Sequence, residues 1–303
     1  MVNMFMSLGY PVGSALSGVM LSWVGYYGVF AVSSSLYLFS LVYGYYYLKD
    51  PKQRAIKKIE NKKHKKKCFL REFFDTGLVM ETFKVAFRKG AGNRRLRVCL
   101  LLVVVCVVFG PMHGEFTVMY LFARFRFNWD EVQYSMWSTY SIITNLFGTF
   151  FSISLFTNYM KLDDTLLGII SNISKIVASF AYAFARNDFE IYLAPLLEIL
   201  NGTSFIAMRS IASKLVNGEE FGKVNSLFGL AEATMPLVYG PLYSRVYMAT
   251  LNILPGAVFL LGALLTAPSI IIFGWLYFEH KKDTLRNEAA KADTEKQLTE
   301  QLK

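Results

Sequence analysis

Eight apolar stretches, each of roughly 20 residues or slightly more, follow one another along this chain. A run of that length crosses the hydrocarbon core of a bilayer as a helix, because only a helix satisfies its own backbone N–H and C=O groups there. The stretches cover about Val2 to Trp23, Tyr26 to Leu48, Val98 to Tyr120, Tyr134 to Thr157, Leu162 to Phe184, Phe189 to Ser213, Gly222 to Tyr247 and Leu254 to Phe278. The expected fold class is therefore all-α, a polytopic membrane protein with eight transmembrane helices. Composition agrees: 54% of residues are hydrophobic and 18% charged, too little charge to cover a soluble surface. The segment from Met1 to Trp23 has no basic leader and runs straight into a second apolar stretch, so it reads as a spanning helix and not a signal peptide.

Between the second and third stretches lies a strongly basic segment, Lys49 to Arg97. It holds seventeen Lys and Arg against five Asp and Glu, densest from Lys62 to Lys67. The whole chain carries a net charge of +10, so the rest is slightly acidic and the excess is local. Flanked by apolar helices, such a block is held on the cytoplasmic side by the positive-inside bias. The same apolar flanks argue against a nucleic-acid patch. A cytoplasmic loop after two helices puts the N-terminus inside, and six further crossings put the C-terminal tail inside too. Near the end of the loop, Phe69, Leu70, Phe73, Phe74, Leu78, Phe83 and Phe87 interleave with charges, as in an amphipathic helix lying on the inner leaflet. The tail after Phe278 is charge-balanced and reads either as a solvated helix or as disordered.

The residues that can carry chemistry are ionisable groups at membrane depth, which are costly unless paired or facing a wet cavity. They are Arg209 and Glu198 in the sixth stretch, Glu232 in the seventh, Lys175 in the fifth, and His113 and Glu115 in the outer part of the third. Arg209 stays charged at any working pH and can hold a carboxylate in a bidentate contact. It can hold an anionic substrate, or it can pair permanently with an acid such as Glu232 and join two helices. A desolvated Glu232 or Glu198 can exchange a proton. Lys175 with Glu198 reads first as a packing pair. His113 titrates in a useful range, but a plain interface histidine explains it as well.

Asn158, Asp163 and Asp164 flank a short turn where they can cap helix ends. Asn172 and Asn201 match the glycosylation acceptor pattern inside expected helices and are discounted. Pro195 and Pro236 offer bending points. Tyr140, Phe151, Tyr182 and Tyr239 can line a cavity or face lipid. Cys68, Cys99 and Cys106 form neither a C-x-x-C pair nor a Cys/His cluster. With no metal-ligand set, phosphate-binding glycine loop or nucleophile elbow, no cofactor, metal or enzymatic activity is expected.

Two segments carry a family resemblance. One is Met208-Arg209-Ser210-Ile211-Ala212-Ser213-Lys214-Leu215-Val216 followed by Glu219-Glu220-Phe221-Gly222-Lys223-Val224-Asn225. The other is Pro236-Leu237-Val238-Tyr239-Gly240-Pro241. With Met119-Tyr120, Phe127-Asn128-Trp129 and Gly25-Tyr26-Tyr27-Gly28, they resemble solute carrier family 46, the proton-coupled folate transporter-like branch of the major facilitator superfamily. The resemblance implies an alternating-access carrier that couples import of an organic anion, such as folate, to protons. Its partners would be a small anionic solute, protons and membrane lipids, without nucleic acid, in the plasma or lysosomal membrane. It implies that residues 1–48 are the last two helices of an N-terminal half lacking its first four. It makes 49–97 the cytoplasmic linker, 98–278 a six-helix C-terminal half and 279–303 a cytoplasmic tail. Arg209 falls on an arginine tied to proton coupling and substrate binding in the folate-transporting member. The resemblance carries over that one residue, and the family's histidine has no match at His113; from their placement within the helices, substrate-binding or proton-coupling roles are also expected among Glu232, Glu198, Lys175, His113 and Tyr239. The competing expectation is a truncated product that does not transport, or a membrane interaction or regulatory protein.

Overall fold

A computed structural model describes residues 2–47, 87, 93–160, 162–216 and 218–301, with side chains described from 12 to 286 apart from the gaps and from 153, 157, 158, 218 and 219. Most of the basic segment and its expected amphipathic helix lie outside the described residues. The described chain is helical: α1 (Val2–Tyr47), α2 (Arg94–Phe127), α3 (Glu131–Ser152) running into a π-helical segment (Ile153–Tyr159), α4 (Asp164–Phe184), α5 (Asp188–Leu197), α6 (Thr203–Leu215), α7 (Gly218–Thr250) and α8 (Ala257–Gln301).

The expectation of eight transmembrane helices is corrected by this arrangement. Five described helices are long and apolar enough to cross a membrane: Val12–Tyr47, Arg94–Phe127, Glu131–Phe156, Asp164–Phe184 and Ala257–Arg286. The first two expected helices follow each other as one candidate span, meeting at a kink where Gly25 leaves the helical conformation with a φ of 65°, a left-handed backbone that glycine adopts without a Cβ penalty. The expected sixth helix is broken into α5 and α6, of 10 and 13 residues, each too short to span. The third discrepancy is α7, which has ample length at 33 residues. Its Glu220, Lys223, Glu232 and Arg245, set among glycines and hydroxyl side chains, leave no sufficiently apolar window. Apolar runs in sequence count spans correctly only where each run becomes one uninterrupted, sufficiently apolar helix.

Helix α2 packs on α7 and α8, α4 packs on α8, α6 and α5, and α3 packs on α1 and α5. Two apolar cores result. One joins Val118, Phe122, Tyr182, Ile191, Tyr243 and Phe259. The other joins Val98, Leu101, Val105, Met208, Phe228 and Phe273. On α2, α4 and α8 the residues between the two cores are polar and buried: Glu115, Ser171, Asn172, Lys175, Thr266 and Ser269. Buried polar groups at that depth need partners, so this middle layer is where the structure is most demanding.

At one end of the bundle, Arg97 of α2 is clamped by Glu279 (3.1 Å) and Asp283 (2.6 Å), one turn apart on α8. Nearby, Asp164 receives Lys214 at 2.7 Å and the Ser210 hydroxyl at 2.6 Å. Asp163 stands at the N-cap of α4 without a side-chain capping bond, so the capping role expected of this acidic pair gives way to cross-links between α4 and α6. α1 is tied to α3 by Ser135 donating to the Ser14 carbonyl (2.5 Å) and by Tyr26 donating to Glu131 (3.0 Å). Its remaining surface is apolar and open, as at Trp23, Tyr27 and Phe30, which suits contact with lipid tails.

Candidate functional site

The middle layer centres on Lys175 of α4. Its ammonium donates to Glu115 Oε2 of α2 at 2.5 Å and to Glu198 Oε1, at the end of α5, at 2.9 Å. All three residues are at least nine-tenths buried. Two carboxyls facing one ammonium give the cluster a formal charge of −1 when every group is ionised. A net charge in a low-dielectric interior is unfavourable, and the carboxyls are the groups able to remove it by taking up a proton.

The interruption between α5 and α6 builds one side of this site. Pro195 lacks an N–H, and the helix ends two residues later. The Ile191 carbonyl, four residues before Pro195, accepts from Trp137 Nε1 at 3.2 Å, and hydroxyls of α4 bond the carbonyls around the break. Ser171 donates to Leu200 (2.8 Å) and Asn201 (2.9 Å), and Ser174 donates to Leu197 (2.5 Å). Non-helical backbone at membrane depth is tolerated when it is satisfied by protein in this way. The break swings Glu198 and Asn201 inward together, and Asn201 Nδ2 donates to Glu198 Oε1 at 2.8 Å. Of the two asparagines in discounted glycosylation patterns, Asn172 is fully buried and Asn201 nearly so.

Beside the cluster lies a cavity of about 340 Å³ between α2, α3, α4 and the α5–α6 break. Aromatic rings of Tyr134, Trp137 and Tyr182 form much of its wall, and Ser138, Ser141 and Asn145 of α3 supply hydrogen-bonding groups. A mostly apolar cavity with a few convergent polar groups and a charged cluster at its edge is what a small-molecule site requires.

Arg209 and Glu232 lie elsewhere. One Arg209 Nη2 contacts both oxygens of Glu232, at 2.9 and 3.0 Å, joining α6 to α7. The Arg209 side chain is 44% exposed, so this pair sits on an open face of the bundle, away from the cavity lining. His113 is half-buried and stacks on Phe109, with ring centroids 6.2 Å apart. Tyr239 packs its ring on Gly110 of α2. Tyr140 rests on Tyr192, while Phe151 is exposed.

Of the six residues singled out in sequence, the structure thus brings Lys175 and Glu198 together and pairs Arg209 with Glu232 separately. Glu115, noted beside His113 as an intramembrane acid, proves to be the third member of the Lys175 cluster. The signal that could have grouped them was three ionisable residues, one in each of three apolar stretches, at similar depth.

The family model of the Major Facilitator Superfamily matches residues 1–241. The chain is 26% identical over 193 residues to the probable peptidoglycan muropeptide transporter of Drosophila melanogaster, an alignment covering 63% of this chain and 37% of that protein. It is 25% identical over 205 residues to solute carrier family 46 member 2 of Mus musculus, covering 67% and 42%. It is 24% identical over 271 residues to the lysosomal proton-coupled steroid conjugate and bile acid symporter of Mus musculus, covering 86% and 55%. The chain therefore spans about half, or less, of the length of these curated relatives. The similarity to solute carrier family 46 is weak but consistent. With its apolar helices and its match over most of its length, the chain belongs to the Major Facilitator Superfamily, a family of membrane transporters and not of enzymes.

Proposed function

We infer that this chain works in a proton-coupled secondary carrier that moves a small organic anion by alternating access. The observation that carries this reading is the buried Lys175, Glu115 and Glu198 cluster at the edge of the mid-bundle cavity. A fixed cation with two acids offers one docking charge for an anion and one site for a proton. The relatives support the same class of cargo, since their names describe muropeptide and steroid conjugate or bile acid transport. Folate, bile acids and steroid conjugates are the first solutes to try. In this reading residues 98–278 form the C-terminal half of the carrier and 1–48 the end of the N-terminal half. The basic segment 49–97 is a cytoplasmic linker, in a plasma or lysosomal membrane. Arg209, Glu232, His113 and Tyr239 line the path along which the halves face each other, and Arg209 meets the anion before or after it reaches the cavity.

The test is uptake of labelled bile acid and folate into liposomes holding the purified 303-residue chain. Uptake should rise with an inward proton gradient, vanish with a protonophore and weaken in Arg209→Ala without loss of membrane insertion. Normal transport by Arg209→Ala would make that arginine purely structural. A second reading is supported by the open face carrying Arg209 and Glu232: the chain inserts but does not transport, acting instead as a membrane interaction partner. Absence of uptake by a correctly inserted chain would favour it.

A further inference from the structure

The two acids of the buried cluster are not equivalent. Glu198 Oε1 accepts from both Lys175 and Asn201, and Tyr182 of α4 lies beside it. That oxygen therefore has two donors. Glu115 uses Oε2 on Lys175, but its other oxygen, Oε1, is buried and has no hydrogen-bond partner among the described residues. That oxygen occupies the space beside Gly262 of α8 that a Cβ there would take. The Tyr243 hydroxyl of α7 lies against the same glycine and is likewise buried without a partner. A carboxylate oxygen enclosed without a donor is among the least favourable arrangements in a protein interior, and a proton on that oxygen relieves it.

Few other titratable groups face Glu115. α4 brings Lys175 and Tyr182, the α5–α6 break brings Glu198, and α7 brings Tyr243. Helix α8 brings Gly262 and has no titratable side chain from 257 to 276. On α2 itself, His113 is turned onto Phe109. We propose that Glu115 is the proton-binding carboxyl of the cluster, taking the proton at Oε1, and that this step releases Lys175 to hold an anionic group in the cavity. The anion half of the statement rests on the transport reading above, whereas the proton half does not.

The step balances simply. A proton from water forms an O–H bond at Glu115 Oε1, and the cluster goes from −1 to neutral. Lys175 keeps its three hydrogens and its tie to Glu198, while its hold on Glu115 changes from an ion pair to a neutral contact. The ammonium can then turn a donor toward a carboxylate, sulfonate or phosphate in the cavity. The anion restores the −1 charge, so proton and anion travel together, one for one. For that stoichiometry a gradient of one pH unit sustains about tenfold accumulation of a monovalent anion.

Two measurements on the full chain in lipid nanodiscs and liposomes test this. Difference infrared spectra between neutral and acid pH should show a buried protonated-carboxyl band in the wild type, absent in Glu115→Gln and retained in Glu190→Gln. A band that persists unchanged in Glu115→Gln, or is missing from the wild type, overturns the proton assignment whether or not the chain transports. In liposomes, Glu115→Gln should still exchange labelled for unlabelled bile acid, because the amide mimics the protonated state, but lose gradient-driven accumulation. Retained pH-driven accumulation by Glu115→Gln overturns the coupling. Absence of bile acid or folate uptake by the wild type counts against the transport reading and the anion half together, leaving the infrared result to decide the proton half.

Discussion

Lys175 and Arg209 are both cations held by glutamates within one helical bundle, yet they sit in opposite surroundings. Lys175 is 4% exposed and shared by two acids from separate helices. The Arg209 side chain is 44% exposed and bound to one acid through a single nitrogen. The difference teaches what a charge pair does at each place. In the interior, desolvation is large and every partner lost leaves a charge uncompensated, so the cluster holds the helices in register and responds strongly to a proton. On the open face water, headgroups or a neighbouring surface can replace either partner, so the pair can open and close at little cost. A gate or docking contact belongs in the second setting, and a coupling switch in the first.

Four substitutions sharpen or break this contrast. Lys175→Met leaves two buried acids without their cation and should cost ~3–5 kcal/mol in stability. Thermal unfolding in detergent should show the loss shrinking in acid, where the carboxyls bind protons and shed their charge. A variant as stable as wild type at neutral pH would mean that the cluster is hydrated and open. Asn201→Ala removes a hydrogen bond to the Glu198 carboxylate, and the same assay should read a loss of ~1.5–3 kcal/mol. Gly262→Ala drives a methyl group into Glu115 Oε1, an overpacking worth ~1–3 kcal/mol, and should alter proton uptake more than the neighbouring Ala263→Gly. Arg209→Ala should change stability by less than ~1 kcal/mol, and a double-mutant cycle with Glu232→Ala should give a coupling of ~0.2–1 kcal/mol. A larger coupling would place the pair in a drier setting and erase the contrast.

Much of this was legible from the chain alone. The apolar runs identify α2, α4 and the first part of α8 because each stays one continuous apolar helix, even across Pro111 in α2 and Pro268 in α8. The same reasoning placed the break at Gly25 but counted two spans where the two short helices follow each other as one, and it missed the end of α5 just after Pro195 inside an unbroken apolar run. Hydropathy registers which side chains tolerate lipid, whereas a helix break depends on whether neighbours can satisfy the freed backbone, here Ser171 and Ser174. For the site, Arg209 and Glu232 were foreseen as a pair, as were Lys175 and Glu198. Glu115 was visible as an intramembrane acid, but nothing in its local sequence aims it at a lysine 60 positions away.

The order of the residues determined that this chain is helical, apolar and built for a bilayer, because solvent preference and backbone satisfaction are properties of each segment by itself. It also marked which charges are too costly to be accidental. Which of those charges meet, which oxygen is left bare and which pair stays exposed were decided only when distant helices packed together, since the energy of a buried charge is set by what surrounds it.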